Sequence, residues 1–288
     1  MEAQNRGFDI FYYNPVDLEY DNGIVKAQGY FIDVFNKQDS HFKYKHEKKE
    51  IINLDEFDVV LIRQDPPFDM NYISSTYLLE QLPSDTIVLN HPKSIRNAAE
   101  KIYPFQFQQY MPPTIVTQNI ETIKKFLKEN NDIVTKPLYG NGGEGIFRTR
   151  ADDKFLQGID ETKNILDAPL MAQKYIPEII EGDRRIILID GEYAGSVARI
   201  PPVNKLKANF HAGGRAQKTD LIYRDQEICN ALKSDLKEKN LFLVGIDIIG
   251  NYLTEINVTS PTGLKQINEL DHVCLEKVYW DKIEKKFF

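Results

Sequence analysis

The chain of 288 residues is poor in the residue types that build disulfide frameworks and soft-metal centres. It has two cysteines, Cys229 and Cys274, too few for a disulfide scaffold or a zinc site. Its five histidines are scattered, and His41 and His46 fall in a polar, Lys-rich stretch, so no His/Cys metal site is expected. It has no basic excess. The 36 Lys and Arg face 43 Asp and Glu, a formal charge of −7, whereas non-specific nucleic-acid binding needs a basic footprint. No uninterrupted apolar stretch approaches the ~20 residues of a membrane span. The best run, Leu241 to Ile249, is interrupted by Asp247. Met1 to Arg6 contains no apolar h-region, so no signal peptide is expected and the protein reads as cytoplasmic. Internal repeats and low-complexity segments are also absent. The remaining composition, 42% apolar and 27% charged, is ordinary for a globular protein, and the length suggests about two domains.

The first third reads as an α/β layer with a mainly parallel sheet. Asp58 to Arg63 and Asp85 to Asn90 are short apolar runs with polar borders, as buried strands have. Between them, Asn71 to Leu82 carries Ile73 and Tyr77 at helical spacing, so strand, helix and strand suggest a parallel unit. Tyr12 to Phe35 holds shorter runs around a turn at Asp21-Asn22-Gly23. A boundary is expected near His91 to Ser94, with Ser94 capping a helix whose inward face is Ile95, Ala98, Ala99 and Ile102. The expected division is an N-terminal α/β domain over 1–92 and a two-lobed α+β region over 93–288, its lobes about 105–175 and 176–288.

In the second part, a helix is expected from about Ile120 to Glu129, a strand from Asp132 to Lys136, and strand character again from Ile146 to Thr149. Asp190-Gly191 between two apolar runs is a strong hairpin signal. Arg224 to Asn240 reads as a helix with Ile228, Leu232 and Leu236 inward, and Phe242 to Ile249 pairs with Tyr252 to Val258 around Gly250-Asn251. Pro201 to Asp220 lacks periodicity and is a candidate lid.

Gly140-Asn141-Gly142-Gly143-Glu144-Gly145 matches G-x-G-x-x-G, but a dinucleotide fold needs a helix after it, and here the chain is β-like. Strand, loop and strand suit a flap whose amides cover phosphates, or equally a glycine-rich hairpin turn. Lys136, entering the loop, can put a point charge on a phosphate or be a solvated edge lysine. Glu255 and Asn257 are i, i+2 on a strand and share a face, two oxygen donors suited to Mg²⁺. Asp247 joins them only if register allows. A two-residue turn with regular pairing sets Ile249 against Tyr252 and turns Asp247 to the opposite face. A bulge or a three-residue loop sets Asp247 across from Glu255.

Several segments together resemble the bacterial glutathione synthetases, a family of ATP-grasp ligases. They are Arg63-Gln-Asp-Pro-Pro-Phe-Asp69, Lys136-Pro-Leu138 with Gly140 to Gly145, Met171 to Tyr175, Ala198 to Pro201, Ala212 to Arg215 and Thr254 to Thr262. The resemblance runs through nearly the whole chain in order. It implies an N-terminal parallel α/β (pre-ATP-grasp) domain followed by a two-lobed ATP-grasp domain. It implies ATP contacts from Lys101, Lys136, Gly140, Gly142, Gly143, Gly145 and Asp183, with Gln173, Lys174, Tyr175 and Ile176 as the hinge at adenine. Arg185, Arg199 and Arg215 would serve the acyl-phosphate region. Asp247, Glu255 and Asn257 would bind Mg²⁺, with Mn²⁺ as the alternative ion. Arg63 would hold a substrate carboxylate, Ser260 and Thr262 would line the substrate side, and Pro201 to Arg215 would form the lid.

The implied reaction joins γ-glutamylcysteine to glycine at the expense of ATP through an acyl phosphate, within glutathione biosynthesis. The expected partners are these small molecules and further copies of the chain, with no nucleic acid and no membrane. Members of the family begin with a strand and a polar loop ahead of the helix that Met1 to Gly7 continues, so that strand is expected to be absent. Two rival readings are another ATP-grasp carboxylate–amine ligase and an N-terminally shortened nucleotide-binding protein with little activity. Arg63 with Asp65-Pro-Pro-Phe-Asp69 speaks against the first.

Overall fold

The computed structural model describes residues 1–37, 40–139, 145–151, 168–202, 210 and 213–288. After a single helical turn, α1 (Glu2–Asn5), the chain forms a long antiparallel hairpin of β1 (Ile10–Asp21) and β2 (Ile24–Val34). Asn22 and Gly23 both take positive φ, 50° and 95°, the backbone that a two-residue hairpin turn of matching twist requires. The register slips between Tyr13 and Leu18, where Pro15 has no amide to give to the ladder. The short strands β3 (Phe42–Tyr44) and β4 (Glu50–Asn53) pair with the free edge of β2.

The parallel unit lies beside this sheet. β5 (Val59–Leu61) pairs with β6 (Ile87–Leu89), joined through α2 (Met70–Leu79). The parallel part of the N-terminal region is thus two strands, and the larger sheet there is antiparallel. The Asp69 carboxylate caps α2 by accepting from the amides of Asn71 and Tyr72. The helix buries Tyr72, Thr76 and Leu79 rather than Ile73 and Tyr77, because β1 and β2 cover its other flank. Tyr77 instead lies exposed under the Arg96 guanidinium, 3.9 Å from its ring centre. Ser94 is not a cap. The helix α3 (Pro92–Asn97) starts at Pro92, whose fixed φ and missing amide suit the first helical position. It stops at Ala98, and a 3-10 stretch, Tyr103–Tyr110, follows.

The next lobe is a four-stranded antiparallel sheet in the order β7-β10-β8-β9, from β7 (Thr114–Thr117), β8 (Asp132–Pro137), β9 (Phe147–Arg150) and β10 (Leu170–Lys174). α4 (Ile120–Asn130) covers one face with Ile123, Phe126 and Leu127. The other face carries Lys136, Met171 and Gln173, by the register of β8 and β10.

The last lobe centres on five antiparallel strands in the order β13-β12-β11-β14-β15. They are β11 (Asp183–Ile189), β12 (Glu192–Ile200), β13 (Arg215–Lys218), β14 (Leu243–Ile249) and β15 (Tyr252–Asn257). Asp190 and Gly191 form the expected turn, both with positive φ. α5 (Tyr223–Glu238) packs Ile228, Leu232 and Leu236 on one face of this sheet, all fully buried. On the other face, α6 (Leu264–Asp271) and α7 (Leu275–Phe287) cover only the part around Ile187, Ile189, Val197 and Leu243. The rest of that face is polar and looks toward Lys136. No helix among the described residues is long and apolar enough to cross a membrane.

Candidate active site

The site is built on the hairpin of β14 and β15. Gly250 and Asn251 make a two-residue turn, with Ile249 opposite Tyr252 and Ile248 opposite Leu253. Gly250 supplies a positive φ of 56°. The register then shifts by one residue, so that Asp247 faces Glu255 and Gly245 faces Asn257. The extra residue is Thr254, buried, whose hydroxyl donates to the Asp247 carbonyl at 3.0 Å. The bulge brings the three side chains to one face, the outcome on which their convergence depended.

Charged residues of neighbouring strands join them on this face. Arg185 on β11 lies opposite Asp247, and Asp183 lies opposite Arg199 on β12. Arg185 donates from Nε to Asp247 Oδ1 at 2.5 Å and from Nη2 to Oδ2 at 2.9 Å. Arg199 grips Asp183 with two bonds of 2.6 Å and reaches Asp247 Oδ2 at 2.9 Å. All four side chains are at least 90% removed from solvent. Burial alone would raise the Asp247 carboxyl, but the two guanidiniums hold it well below the usual carboxylate range. Burial pushes Asp183 up, against the pull of Arg199. Gly245 lets this cluster close. A Cβ there would stand 2.9 Å from Pro261 and 3.1 Å from Arg185.

Asn257 turns its amide nitrogen to Gly245 O at 3.1 Å and Asp247 Oδ2 at 3.3 Å, which directs its oxygen away from both. Glu255 stands half-buried beside it and meets Lys136 Nζ at 3.6 Å across the cleft. Lys136 is buried at the end of β8, at the root of the glycine loop. Burial lowers its pKa, with Glu255 opposing and Lys101 adding to the effect. Lys101 is buried as well and donates to Leu138 O at 3.4 Å. Two desolvated lysines side by side suit a polyanion between them. Among the described residues no three His, Cys, Asp or Glu could hold a metal ion by themselves. The donors that fit a hard cation are Glu255 and Asn257, with Asp247 engaged by two arginines.

The remaining expected residues fall as follows. The Gln173 side chain donates to Thr114 Oγ1 at 3.0 Å. The Lys174 and Tyr175 amides donate to Pro113 O and Asp132 O, and Ile176 leads into a 3-10 turn, Pro177–Glu181. Tyr175 lies under the Arg148 guanidinium and clusters with Ile179, Val134 and Ile249 near the β14–β15 turn. Gly145 takes φ 68°, while Gly140, Gly142 and Gly143 lie outside the described residues, as does most of the expected lid. Arg215 is not brought to the cluster. It pairs with Ile200, so β-alternation turns it to the face opposite Arg199, at an exposed edge strand. Ser260 spends its hydroxyl on Gln64 O at 2.8 Å, tying the Thr254–Thr262 motif to the N-terminal region. Thr262 O accepts from Arg185 at 3.1 Å. Arg63 Nη2 reaches Pro261 O at 3.5 Å.

Asn90 went unnoticed in the sequence because a lone Asn after an apolar run carries no pattern. Buried at the end of β6, it accepts from Leu243 N and donates to Leu243 O and Val258 O, at 2.7–2.8 Å. This clamps the parallel unit to the strands that carry the cluster.

A family model described as prokaryotic glutathione synthetase, N-terminal domain, matches residues 1–96, and one described as prokaryotic glutathione synthetase, ATP-grasp domain, matches residues 100–272. The chain is 41% identical to a glutathione synthetase of Agrobacterium fabrum, over 99% of this chain and 89% of that one. It is 43% identical to that of Mesorhizobium japonicum, over 99% and 91%. Among solved structures, D-alanine–D-alanine ligase from Bacillus anthracis complexed with ATP aligns with a TM-score of 0.55 at 15% identity, covering 81% of this chain and 79% of that one. The ATP-grasp ligase PsnB, complexed with a precursor peptide and AMPPNP, aligns with a TM-score of 0.62 at 14% identity, over 99% and 92%. At these identities the two structures speak for the fold alone.

Proposed function

Because this chain belongs to the prokaryotic glutathione synthetase family, we propose that it is an ATP-dependent ligase that makes glutathione from γ-glutamylcysteine and glycine. The observation that carries the reading at the site is the meeting of Lys136 and Glu255 at 3.6 Å, opposite Asp247 in register. It sets phosphate-binding cations and cation-binding oxygens across one cleft.

A carboxylate is a poor acyl donor. In this reading its oxygen takes the γ-phosphoryl group of ATP, releasing ADP and leaving an acyl phosphate. The glycine amine then attacks the carbonyl carbon, loses a proton, and phosphate departs. The protein aligns the groups and neutralises charge. Lys101 and Lys136 hold the nucleotide phosphates, together with the glycine loop from Gly140 to Gly145. The hinge from Gln173 to Ile176 meets adenine, and Tyr175 with Val134 and Ile249 offers an apolar wall there. Arg185 and Arg199, fixed by Asp247 and Asp183, face the oxygens that gain charge. Asp183 therefore acts by orienting Arg199. Arg63 takes a carboxylate of the dipeptide, and Ser260 and Thr262 shape that side. The expected lid excludes water, with Arg215 on the opposite face of the sheet and without a part in the chemistry.

Glu255 and Asn257, with Asp247 behind them, would hold Mg²⁺ or Mn²⁺, which neutralises phosphate charge when bound. In this reading the N-terminal substrate domain gives way to the ATP-grasp domain near residues 92–93, and the work is done in the cytoplasm, where ATP is available. Self-association is proposed through the exposed aromatic face of β1 to β3, where Tyr12, Phe42 and Tyr44 cluster. The test of function is ATP-dependent phosphate release with γ-glutamylcysteine plus glycine, against D-alanine or glutamate as acceptor. Release with glycine alone among these acceptors is expected. Release that prefers another acceptor, or ATP binding without any turnover, would refute the reading.

A further inference from the structure

The strand β9, which follows the glycine loop, and the hinge that follows β10 are joined through the side chain of Arg148. Asp132, Val134 and Lys136 alternate along β8, so they share the face that looks into the cleft. Arg148 on β9 and Gln173 on β10 both stand opposite Val134, which puts them on the same face. Tyr175, two residues beyond Gln173, packs against Val134 there, with Ile179 and Ile249 beside it.

The Arg148 guanidinium lies over the Tyr175 ring, 3.5 Å from its centre. Its edge is turned to Asp132, with Nε donating to Oδ1 at 2.9 Å and Nη2 to Oδ2 at 2.5 Å. Asp132 in turn accepts the Tyr175 amide on its backbone oxygen, at 2.9 Å. The three residues close a circuit. A carboxylate holds the edge of the guanidinium, the guanidinium covers the face of the ring, and the backbone of the ring residue returns to the residue that carries the carboxylate. Arginine suits both ends at once, because its planar head offers a fork along the edge and a flat cation on the face.

Folding stability does not call for this arrangement. The Arg148 and Asp132 side chains are 24% and 26% exposed, and a pair with that much access to water adds little to folding. What the circuit fixes is a place. The Tyr175 ring is held by a cation on its face and by aliphatic side chains around it. Arg148 itself comes three residues after Gly145, which is set close against Pro137: its φ is 68°, and a Cβ there would stand 2.8 Å from the Pro137 ring. The chain leaving the glycine loop is therefore seated first on the end of β8 and then on the hinge tyrosine.

We propose that Arg148 is a positioning residue of the nucleotide site. Held by Asp132, it fixes the Tyr175 ring as the wall against which adenine is placed, and it ties that wall to the strand leaving the glycine loop. It acts through the ring and not by a contact of its own with the nucleotide. The proposal rests on the nucleotide site of the function given above, and not on which acids are joined.

The test reads ATP affinity by calorimetry on the full chain with Mg²⁺, so that turnover does not enter. Arg148→Ala should weaken ATP binding about 3- to 30-fold, the range of a cation–π contact. Tyr175→Leu should weaken it as well. The double variant should bind ATP no more weakly than the weaker of the two single variants, because the contact can be lost only once. Arg150→Ala removes a neighbouring positive charge, 3.8 Å from the same Asp132, and should leave ATP affinity within about two-fold. In Arg148→Ala, KM for the dipeptide should stay in place, which separates an effect at the nucleotide from a general loosening of the lobe. Thermal melting checks that each variant is folded. Losses that multiply in the double variant would mean that Arg148 meets the nucleotide directly, and would overturn the proposal. Unchanged ATP affinity in Arg148→Ala, an equal loss in Arg150→Ala, or a dipeptide KM that rises in step with the ATP Kd would overturn it too. If the unmodified chain binds ATP but does not join γ-glutamylcysteine to glycine, the ligase reading falls and this inference stands. If it binds no ATP, both fall.

Discussion

The Asp247 carboxylate sits between two guanidiniums, and replacing it by an amide separates two roles that are easily confused. Asp247→Asn preserves shape and removes one charge from a cluster in which Arg185 is 6% exposed, Arg199 3% and Asp247 4%. The amide can still accept one hydrogen bond, but its NH₂ now faces an arginine. Asp183 remains to balance Arg199, and nothing in the ladder replaces the partner of Arg185. Breaking a buried pair from one side costs about 3–5 kcal/mol. For the two-lobed region over 93–288 taken as a unit, that is a fall of roughly 6–20 °C in melting temperature. Glu255→Gln, at 24% side-chain exposure and with a single partner at 3.6 Å, should cost less than about 1 kcal/mol. Both variants should lose most of their turnover. The assay is urea or thermal unfolding without nucleotide or divalent ion, so that ligand binding does not enter. If Asp247→Asn melts within about 1 kcal/mol of the unmodified protein, the carboxylate is not the keystone of the arginine pair. It would then act only on ligands.

The same carboxylate predicts a pH dependence. Its folded-state pKa lies below the unfolded value, so the stability it contributes is complete above the unfolded value of about 3.9 and is lost as pH falls toward the folded one. Asp247→Asn should therefore flatten the acid limb of the stability curve, measured as unfolding free energy against pH from 6 downward, and an unchanged slope would contradict this. Asn90→Ala strands an amide and two carbonyls at the seam below the cluster, and should cost about 3–5 kcal/mol in urea unfolding. A loss under about 1 kcal/mol would mean that water takes over the clamp. Arg199→Lys keeps the charge but not the fork that grips Asp183, and should lower kcat about 10²–10³-fold with a small change in ATP affinity. Unchanged turnover in a steady-state assay would remove Arg199 from the chemistry.

Local chemistry made much of this fold readable. Asp190-Gly191 and Gly250-Asn251 announce their hairpins because few residues tolerate the backbone that such turns need. The spacing of Ile228, Leu232 and Leu236 gives α5 its buried face. The strand after the glycine loop is there, in register with β8, which separates this loop from the dinucleotide type. The candidate site was readable as a condition rather than a place. Parity along β14 and β15 says that Asp247 and Glu255 meet only if one residue is extra, and no local signal marks Thr254 as that residue. The length of the β1–β2 hairpin was obscured by its irregular middle around Pro15. The arginine–aspartate cluster depends on sheet order, since Arg185, Arg199 and Asp247 come from three strands and two separate hairpins.

The bulge at Thr254 gives the hairpin a built-in phase correction. From the turn up to Leu253 the strands keep one pairing count, and from Glu255 onward they keep the next. The correction is placed inside the sheet, where Thr254 is held by its bond to the Asp247 carbonyl, and not at the exposed tip. Gly250 is kept by its positive φ, but Asn251 can drift in identity, or the loop can grow by an even number of residues, without moving a charge from one face to the other. A single added residue at the tip would be read out at Glu255 and Asn257 as a reversal of face, unless the loss of Thr254 cancels it. Length changes at this tip and at this bulge should accordingly occur as matched pairs wherever the ligand-facing carboxylates are kept.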